Sequence, residues 1–291
     1  MENIFVVTDF SAASRNAALY GIALAKQFGA KLFLFHAYQV PVQIPESYLF
    51  YTTEDVWKTV KELLEKEVVA IDPEKVVDIE ICGGEGAAAH SIIQHAGAAK
   101  ADLIICGMKE TIKGLRRIFG STTTALTRLS EIPFLVIPED ATFSKPVHIA
   151  LASDMDTETA ADTVALLKEF GKAFQSKLSI VWVVENEVDE AYKRKFRPEG
   201  ITRHLKDMEP GFEFPAGNSI SAALEGFAKD HSIDMMAIIP HKHSFMERFF
   251  VESTTASMIF HTHIPLLVLP QKKESGASSV MNSDKMTRAF Q

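Results

Sequence analysis

The sequence has little cysteine, no long apolar run and no excess of basic residues. Only two of the 291 residues are cysteines, Cys82 and Cys106, which is too few for a disulfide framework or a thiolate zinc site. We expect both to be buried, reduced thiols of a cytoplasmic protein. No apolar run approaches the roughly 18 residues of a membrane-spanning helix. The N-terminal segment MENIFVVTDF lacks the basic residues of a signal peptide and instead predicts a strand.

Acidic residues outnumber basic ones by 38 to 30, and the formal net charge is −8. Proteins that bind nucleic acid generally carry a basic patch and a high pI, so we expect no general nucleic-acid binding. Core material is ample, since 47% of the residues are hydrophobic. The length suits one large domain or two of about 145 residues.

Strand-like and helix-like segments alternate along the first half. Strands are predicted at 4–7, 31–37, 76–82, 101–107 and 134–137, and helices at 12–28, 54–69, 86–99 and 121–130. Such alternation is typical of βαβ crossovers, so we predict an α/β fold with a mostly parallel, doubly wound sheet. The glycines Gly83, Gly84 and Gly86 are predicted to form a turn and a helix start, not a phosphate cradle.

The second half repeats the first. Segment 101–138 slides onto 233–270 without a gap, at an offset of 132 (234 − 102 = 132), and matches polar residues and prolines as well as apolar ones. The Ser-Thr-Thr at 121–123 then meets the Ser-Thr-Thr at 253–255. Near the start of each half, Asp9 meets Asp154 (154 − 9 = 145). We therefore predict two copies of one unit, at 1–139 and 146–270, with a short polar linker and a mobile tail at 271–291.

Most of the functional signal lies in the segment from Gly107 to Thr122. It leaves the fourth strand at its carboxyl end, where ligands bind in open α/β sheets, and enters a helix at Ser121. A helix start preceded by Gly120 and opened by Ser121 and Thr122 offers N–H groups and hydroxyls to a phosphate, and Lys109 adds positive charge. The same serine and threonine could also serve only as a helix cap.

These features resemble the universal stress protein family, over nearly the whole chain. The resemblance implies two Rossmann-like, adenine nucleotide α-hydrolase-like units, each with a five-stranded, mostly parallel sheet. ATP-binding members carry Gly-x2-Gly-x9-Gly-Ser/Thr after the fourth strand and an Asp that contacts the nucleoside. The cofactor-binding residues implied here are Asp9, Ala37, Gly107, Lys109, Gly120, Ser121 and Thr122.

The sequence departs from the family motif in both halves. Glu110 replaces the second motif glycine and brings a negative charge toward a polyphosphate site, at a cost on the order of 1 kcal/mol. In the second half Ile239 and Lys242 replace the first two glycines, and Glu252 replaces the third. We therefore expect an ATP site in the first half at most, and none in the second.

Other constellations are weaker. The pairs His241/His243 and His261/His263 have metal-like spacing but no neighbouring cysteine, so we expect unmetallated surface histidines. The sequence contains no P-loop and no Gly-x-Ser-x-Gly elbow. No base or nucleophile can be identified, so we expect a protein that is not an enzyme; a nucleotide hydrolase is the last of the hypotheses.

Two hypotheses stay open. One is a non-catalytic stress-response protein with a degenerate ATP site in the first half. The other is a nucleotide-independent scaffold or sensor that binds a protein or another small ligand. The resemblance also implies self-association through the last strands, at 134–137 and 266–269, within the chain or in a homodimer.

Overall fold

A computed structural model describes residues 1–40, 52–109, 121–152, 159–184, 199–240 and 263–271. These residues form ten strands and seven α-helices, which alternate along most of the chain. The strands are β1 (Asn3–Val7), β2 (Lys31–Tyr38), β3 (Ile79–Glu85), β4 (Leu103–Met108), β5 (Phe134–Pro138), β6 (His148–Ala152), β7 (Lys177–Val181), β8 (Gly211–Glu213), β9 (Met235–Ile238) and β10 (Leu266–Val268). The helices are α1 (Ala12–Phe28), α2 (Thr53–Ile71), α3 (Ala88–Ala98), α4 (Ser121–Leu129), α5 (Ala165–Phe174), α6 (Glu199–Leu205) and α7 (Ile220–Asp230).

In the first half the strands follow the order β3-β2-β1-β4-β5, and all are parallel. Leu64 of α2 lies in a core on one face of this sheet, and Ile92 of α3 and Leu126 of α4 lie in a core on the other face. Strands covered on both faces read as continuous apolar runs, as β1 does at Ile4, Phe5 and Val6. The predicted α/β fold is confirmed.

Local sequence explains where the first helices begin and end. Ser11 caps α1 by accepting a hydrogen bond from the backbone N–H of Ser14, and Gly29 ends the helix in the left-handed conformation at φ 65°. Thr52 and Asp55 form a capping box at the start of α2. Both predicted helices are present, α2 with a few residues more than expected.

The third strand lies about three residues later than predicted. Gly83 and Gly84, predicted as a turn, belong to β3 and pair with His36 and Ala37 of β2. A Cβ on Gly83 would come within 2.3 Å of the Trp57 ring, so this glycine makes room for the aromatic side chain of α2. The turn comes at Gly86, whose φ is 114°.

The second half repeats this order in β8-β7-β6-β9-β10, and the two sheets join into one of ten strands. They join where β5 and β10 pair antiparallel, with Phe134, Leu135 and Val136 opposite Val268, Leu267 and Leu266. At the repeat offset of 132, Leu135 faces its own equivalent, since 267 − 135 = 132. The last strands thus pair within the chain around a pseudo-twofold axis, as in a symmetric dimer.

Each core runs across this central seam of β5 and β10. The core on the α1 face contains Leu135 as well as Leu267, and the core on the other face contains Val136 as well as Val268. Phe28 of α1 packs against Phe170 and Phe174 of α5, with ring centroids 5.6 and 5.8 Å apart. None of the helices in the described ranges is long and apolar enough to cross a bilayer.

Candidate functional site

The candidate site lies where the strand order reverses in the first half. The chain passes from β1 to β2 on one side, and β4 lies on the other side of β1. In doubly wound sheets, ligands bind in the crevice that such a reversal opens at the carboxyl ends of the strands. Asp9 follows β1 and Lys109 follows β4, so both predicted residues lie at the mouth of this crevice.

Asp9 and Lys109 form an ion pair across the crevice. The Lys109 ammonium lies 2.6 Å from Oδ2 of Asp9. The other carboxylate oxygen, Oδ1, accepts hydrogen bonds from the backbone N–H of Ser11 at 3.1 Å and from the Ser11 hydroxyl. The carboxylate is therefore held by the N-cap residue Ser11 on one side and contacts the lysine on the other.

This environment keeps Asp9 ionised. Partial burial by itself would raise the pKa of the carboxyl, but hydrogen bonds from Lys109, Ser11 and Ser14 outweigh burial and hold the pKa well below its usual range. At neutral pH the site thus presents a carboxylate and an ammonium side by side. Such a pair can accept hydrogen bonds from hydroxyls and attract an anion at adjacent points.

Hydrogen bonds of buried hydroxyl groups stabilise the loop that carries Asp9. The Thr8 hydroxyl lies 3.2 Å from that of Ser14 and accepts a hydrogen bond from the backbone N–H of Phe10 at 3.0 Å. Phe10 has φ 61°, a left-handed conformation that costs a bulky residue about 1–2 kcal/mol. Its ring packs on that of His36 at 4.6 Å, and Nδ1 of His36 donates to the Thr8 carbonyl at 2.7 Å. Backbone strain of this kind tends to occur at functional sites.

Gly107 has a packing role that the sequence did not reveal. A Cβ at this position would lie 2.4 Å from the carbonyl oxygen of Ala13 and 2.8 Å from the backbone nitrogen of Ser14. The glycine therefore lets β4 pass directly beneath the first turn of α1. This close packing of β4 against α1 keeps Lys109, at the end of β4, near Asp9.

The remaining predicted residues lie around the same crevice or outside the described residues. Ala37 is partly buried near the carboxyl end of β2, beside Gly84 of β3. Ser121 is exposed and Thr122 is partly buried at the start of α4. The next residue, Thr123, is buried, with its hydroxyl 3.9 Å from Sγ of Cys106. Gly120, together with Glu110, Asp154, Lys242 and Glu252, lies outside the described residues.

The sequence patterns do not single out Thr8, Ser14 and His36. The spacing Ser11-x-x-Ser14 at a helix start was a usable signal for the first turn of α1, because a serine N-cap accepts from the third residue beyond it. No local signal pointed to His36, since its bond to Thr8 depends on the pairing of β1 with β2.

The other candidate groups give no second site among the described residues. Both cysteines are free; Cys106 is buried as expected, while Cys82 is only partly buried, and burial raises the pKa of each to about 12. No group of three metal-ligating side chains occurs in the parts of the chain that are described. Of the four paired histidines only His263 is described, and its Nδ1 lies 2.6 Å from Asp140.

Comparisons with known proteins agree with this architecture. The model of the universal stress protein family matches residues 1–138. A universal stress protein of Methanocaldococcus jannaschii is 30% identical over 144 residues, which cover 47% of this chain and 81% of the relative. The stress response protein NhaX of Bacillus subtilis is 26% identical over 165 residues, or 47% of this chain and 97% of the relative.

Solved structures extend the likeness to both halves. The crystal structure of a universal stress protein from Archaeoglobus fulgidus matches 93% of this chain and 98% of its own, with a TM-score of 0.70 and 16% identity. At that identity the match speaks for the fold alone, and it spans both repeats. The chain therefore belongs to the universal stress protein family, as a member with two units in tandem.

Proposed function

We propose that this universal stress protein is a non-catalytic stress-response protein that binds an adenine nucleotide in its first half. The observation that carries the proposal is the ion pair of Asp9 and Lys109 at the carboxyl ends of β1 and β4. It supplies an ionised acceptor and a cation at the point where doubly wound sheets bind nucleotides.

The two charges suit the two polar parts of a nucleotide. The Asp9 carboxylate accepts hydrogen bonds from ribose hydroxyls, and charge-assisted bonds of this kind are worth about 1.5–3 kcal/mol. The Lys109 ammonium suits a phosphate, as do the N–H groups and hydroxyls at the start of α4, where Ser121 is exposed. Ala37 offers a small, partly buried side chain on the neighbouring strand, where the family resemblance implies the adenine.

Glu110 opposes this function. Its carboxylate follows Lys109 directly in the sequence, so the lysine offsets part of the repulsion that a polyphosphate would meet. A penalty on the order of 1 kcal/mol, taken without this offset, would make the affinity for ATP about five times weaker than that of a Glu110→Gly variant. We propose that this weakens ATP binding without abolishing it.

Binding without catalysis is supported by the chemistry of the described groups. A general base works best with a pKa near the operating pH, and that of Asp9 lies far below. Thiolates are the reactive form of cysteine, and thiols with a pKa of about 12 are almost wholly protonated at neutral pH. We propose that the second half does not bind ATP, because Ile239, Lys242 and Glu252 replace its three motif glycines.

The test has two steps. The protein is first purified without added nucleotide and denatured, and the released small molecules are identified. ATP is then titrated by calorimetry into the wild type, Glu110→Gly and the control Glu131→Gly, which removes an exposed acidic residue after α4. We expect micromolar binding by the wild type, up to about fivefold tighter binding by Glu110→Gly and no change in the control.

The alternatives give different results. If neither the wild type nor Glu110→Gly binds ATP, the nucleotide-independent scaffold or sensor is the better hypothesis. If only Glu110→Gly binds, this residue has closed the site. ATP turnover that persists after removal of Asp9 and Ser121 would contradict a purely binding function.

A further inference from the structure

The hydrogen bonds of Asp9 leave little room for a ligand. Each carboxylate oxygen has about two acceptor positions. Oδ1 already accepts from the Ser11 N–H and the Ser11 hydroxyl, and Oδ2 accepts from Lys109 at 2.6 Å. At most one acceptor position thus remains, on Oδ2, while the lysine is in place.

A ribose offers two neighbouring hydroxyls, so one free position is too few. The Ser11 bonds tie Asp9 to the N-cap residue of α1 and belong to the fold, which makes Lys109 the partner that can leave. Once it leaves, the ammonium needs another anion, and no second carboxylate lies within ion-pair distance of it among the described residues. A phosphate carried by the same ligand supplies that anion.

We propose that Lys109 determines specificity by making recognition of the nucleoside depend on phosphate. The inference rests on the proposed function and names the regulation of that same site. With Lys109 on Asp9, a nucleoside without phosphate must displace an ammonium that finds no second carboxylate among the described residues. A nucleotide moves the ammonium from Asp9 to its own phosphate and frees Oδ2 for the ribose in the same event.

The exposure of the pair fits such an exchange. The side chain of Lys109 is 58% exposed and that of Asp9 is 54% exposed, so the ion pair stands in solvent. Exposed pairs are weak and break readily, in contrast to buried ones. Lysine is also a flexible point charge that can turn between two anions, whereas an arginine would be held by bidentate geometry.

The test compares adenosine with ATP by calorimetry on the wild type, Lys109→Met, Lys109→Gln and the control Lys26→Met. Lys26 is exposed at the other end of α1, so its removal costs the same charge far from the crevice. In both Lys109 variants we expect adenosine to bind about two- to fivefold tighter, which is the gain from releasing an exposed ion pair. ATP should bind at least about twofold weaker, since the lost charge-assisted phosphate contact outweighs the gain from releasing the ion pair. The control should leave both affinities unchanged.

A higher affinity for adenosine together with a lower affinity for ATP distinguishes this role from simple loss of a binding residue. If both Lys109 variants bind adenosine more weakly than the wild type, or equally well, the inference about Lys109 is wrong, while the proposed nucleotide site is not contradicted. Wild-type protein that binds adenosine as tightly as ATP would also overturn it. If ATP binds neither the wild type nor any variant, the proposed function fails together with the inference. Thermal unfolding of each variant verifies that it is folded.

Discussion

Single residues at this crevice combine structural roles with the binding role that we propose. Gly107 was predicted as part of a phosphate motif, yet its missing side chain is required where β4 passes under Ala13 and Ser14 of α1. In the same way, Oδ1 of Asp9 accepts a hydrogen bond from Ser11 in its own loop, while Oδ2 contacts Lys109. A motif residue can thus be retained for packing after a ligand contact is lost, and the motif alone does not establish binding.

The packing role of Gly107 predicts a loss of stability on substitution. Gly107→Ala places a Cβ 2.4 Å from backbone that cannot move freely, and we expect the free energy of unfolding to fall by about 1–3 kcal/mol. Gly97→Ala is the matched control, because a Cβ there meets nothing within 4 Å. Inside α3 it should stabilise the protein by up to about 1 kcal/mol. Urea unfolding measures both; equal effects would contradict the packing role.

The lowered pKa of Asp9 predicts an acid-dependent contribution to stability. Because the folded pKa lies below the unfolded value, about 3.9, the contribution is fully present above that value and is lost as the pH falls through the folded pKa. Wild type should therefore be more stable than Asp9→Asn at pH 7, and the gap should narrow below about pH 4. Urea unfolding at several pH values measures the gap. A gap that stays constant would show that Asp9 is not held as an ion in the folded protein.

Among the secondary-structure elements, continuous apolar runs predicted strands correctly, whereas the glycines at 83 and 84 did not predict a turn correctly. The runs that became β1, β2 and β5 identified buried parallel strands correctly, because such strands are covered on both faces. The position of β3 was wrong because Gly83 and Gly84 resemble a turn, whereas here they make room for Trp57 and for Ser91 with His95. That need arises from helices packed on the sheet, which local sequence does not encode.

The candidate site was predictable in the same partial way. The carboxyl ends of β1 and β4 placed Asp9 and Lys109 near one another, since parallel strands end at one edge of the sheet. The direct ion pair was not predictable, because it depends on Gly107 bringing β4 close to α1. The bond between His36 and Thr8, 28 residues apart, depends in turn on the register of β1 and β2.

The pseudo-symmetry of the central seam predicts matched effects of matched substitutions. Leu135 and Leu267 face each other, are both fully buried and are equivalent in the repeat. Leu135→Ala and Leu267→Ala should each lower the free energy of unfolding by about 2–5 kcal/mol, and by similar amounts. Urea unfolding of the single and double variants measures this, and the double variant should be non-additive because the residues are in contact. Additive effects, or no loss of stability in one of the single variants, would contradict the contact between Leu135 and Leu267.

At the scale of the whole molecule, the two units share one sheet and both cores. Because each core contains residues of both halves, neither half can unfold without exposing the apolar surface of the other. The motif sequences have diverged although the architecture is shared, since the second half lacks the motif glycines. We infer that the second unit completes the sheet of the first, as the partner does in a symmetric dimer.

Shared cores predict one cooperative unfolding transition. The two tryptophans report on separate halves, Trp57 in α2 and Trp182 after β7. The variants Trp57→Phe and Trp182→Phe each keep one tryptophan, so their fluorescence follows one half at a time. In each variant the urea midpoint from fluorescence should equal the midpoint from circular dichroism. A fluorescence midpoint that departs from the circular dichroism midpoint of the same variant would show that the halves unfold independently.

We propose that the carboxyl ends of β1 and β4 form an adenine nucleotide site in the first half alone. Its most direct test is an amide NMR titration of the ¹⁵N-labelled protein with ATP. We expect saturable shifts concentrated at Asp9, Ser11, Lys109 and the first turn of α4, with the equivalent region after β6 and β9 unchanged. No saturable shifts, or shifts confined to the second half, would contradict it.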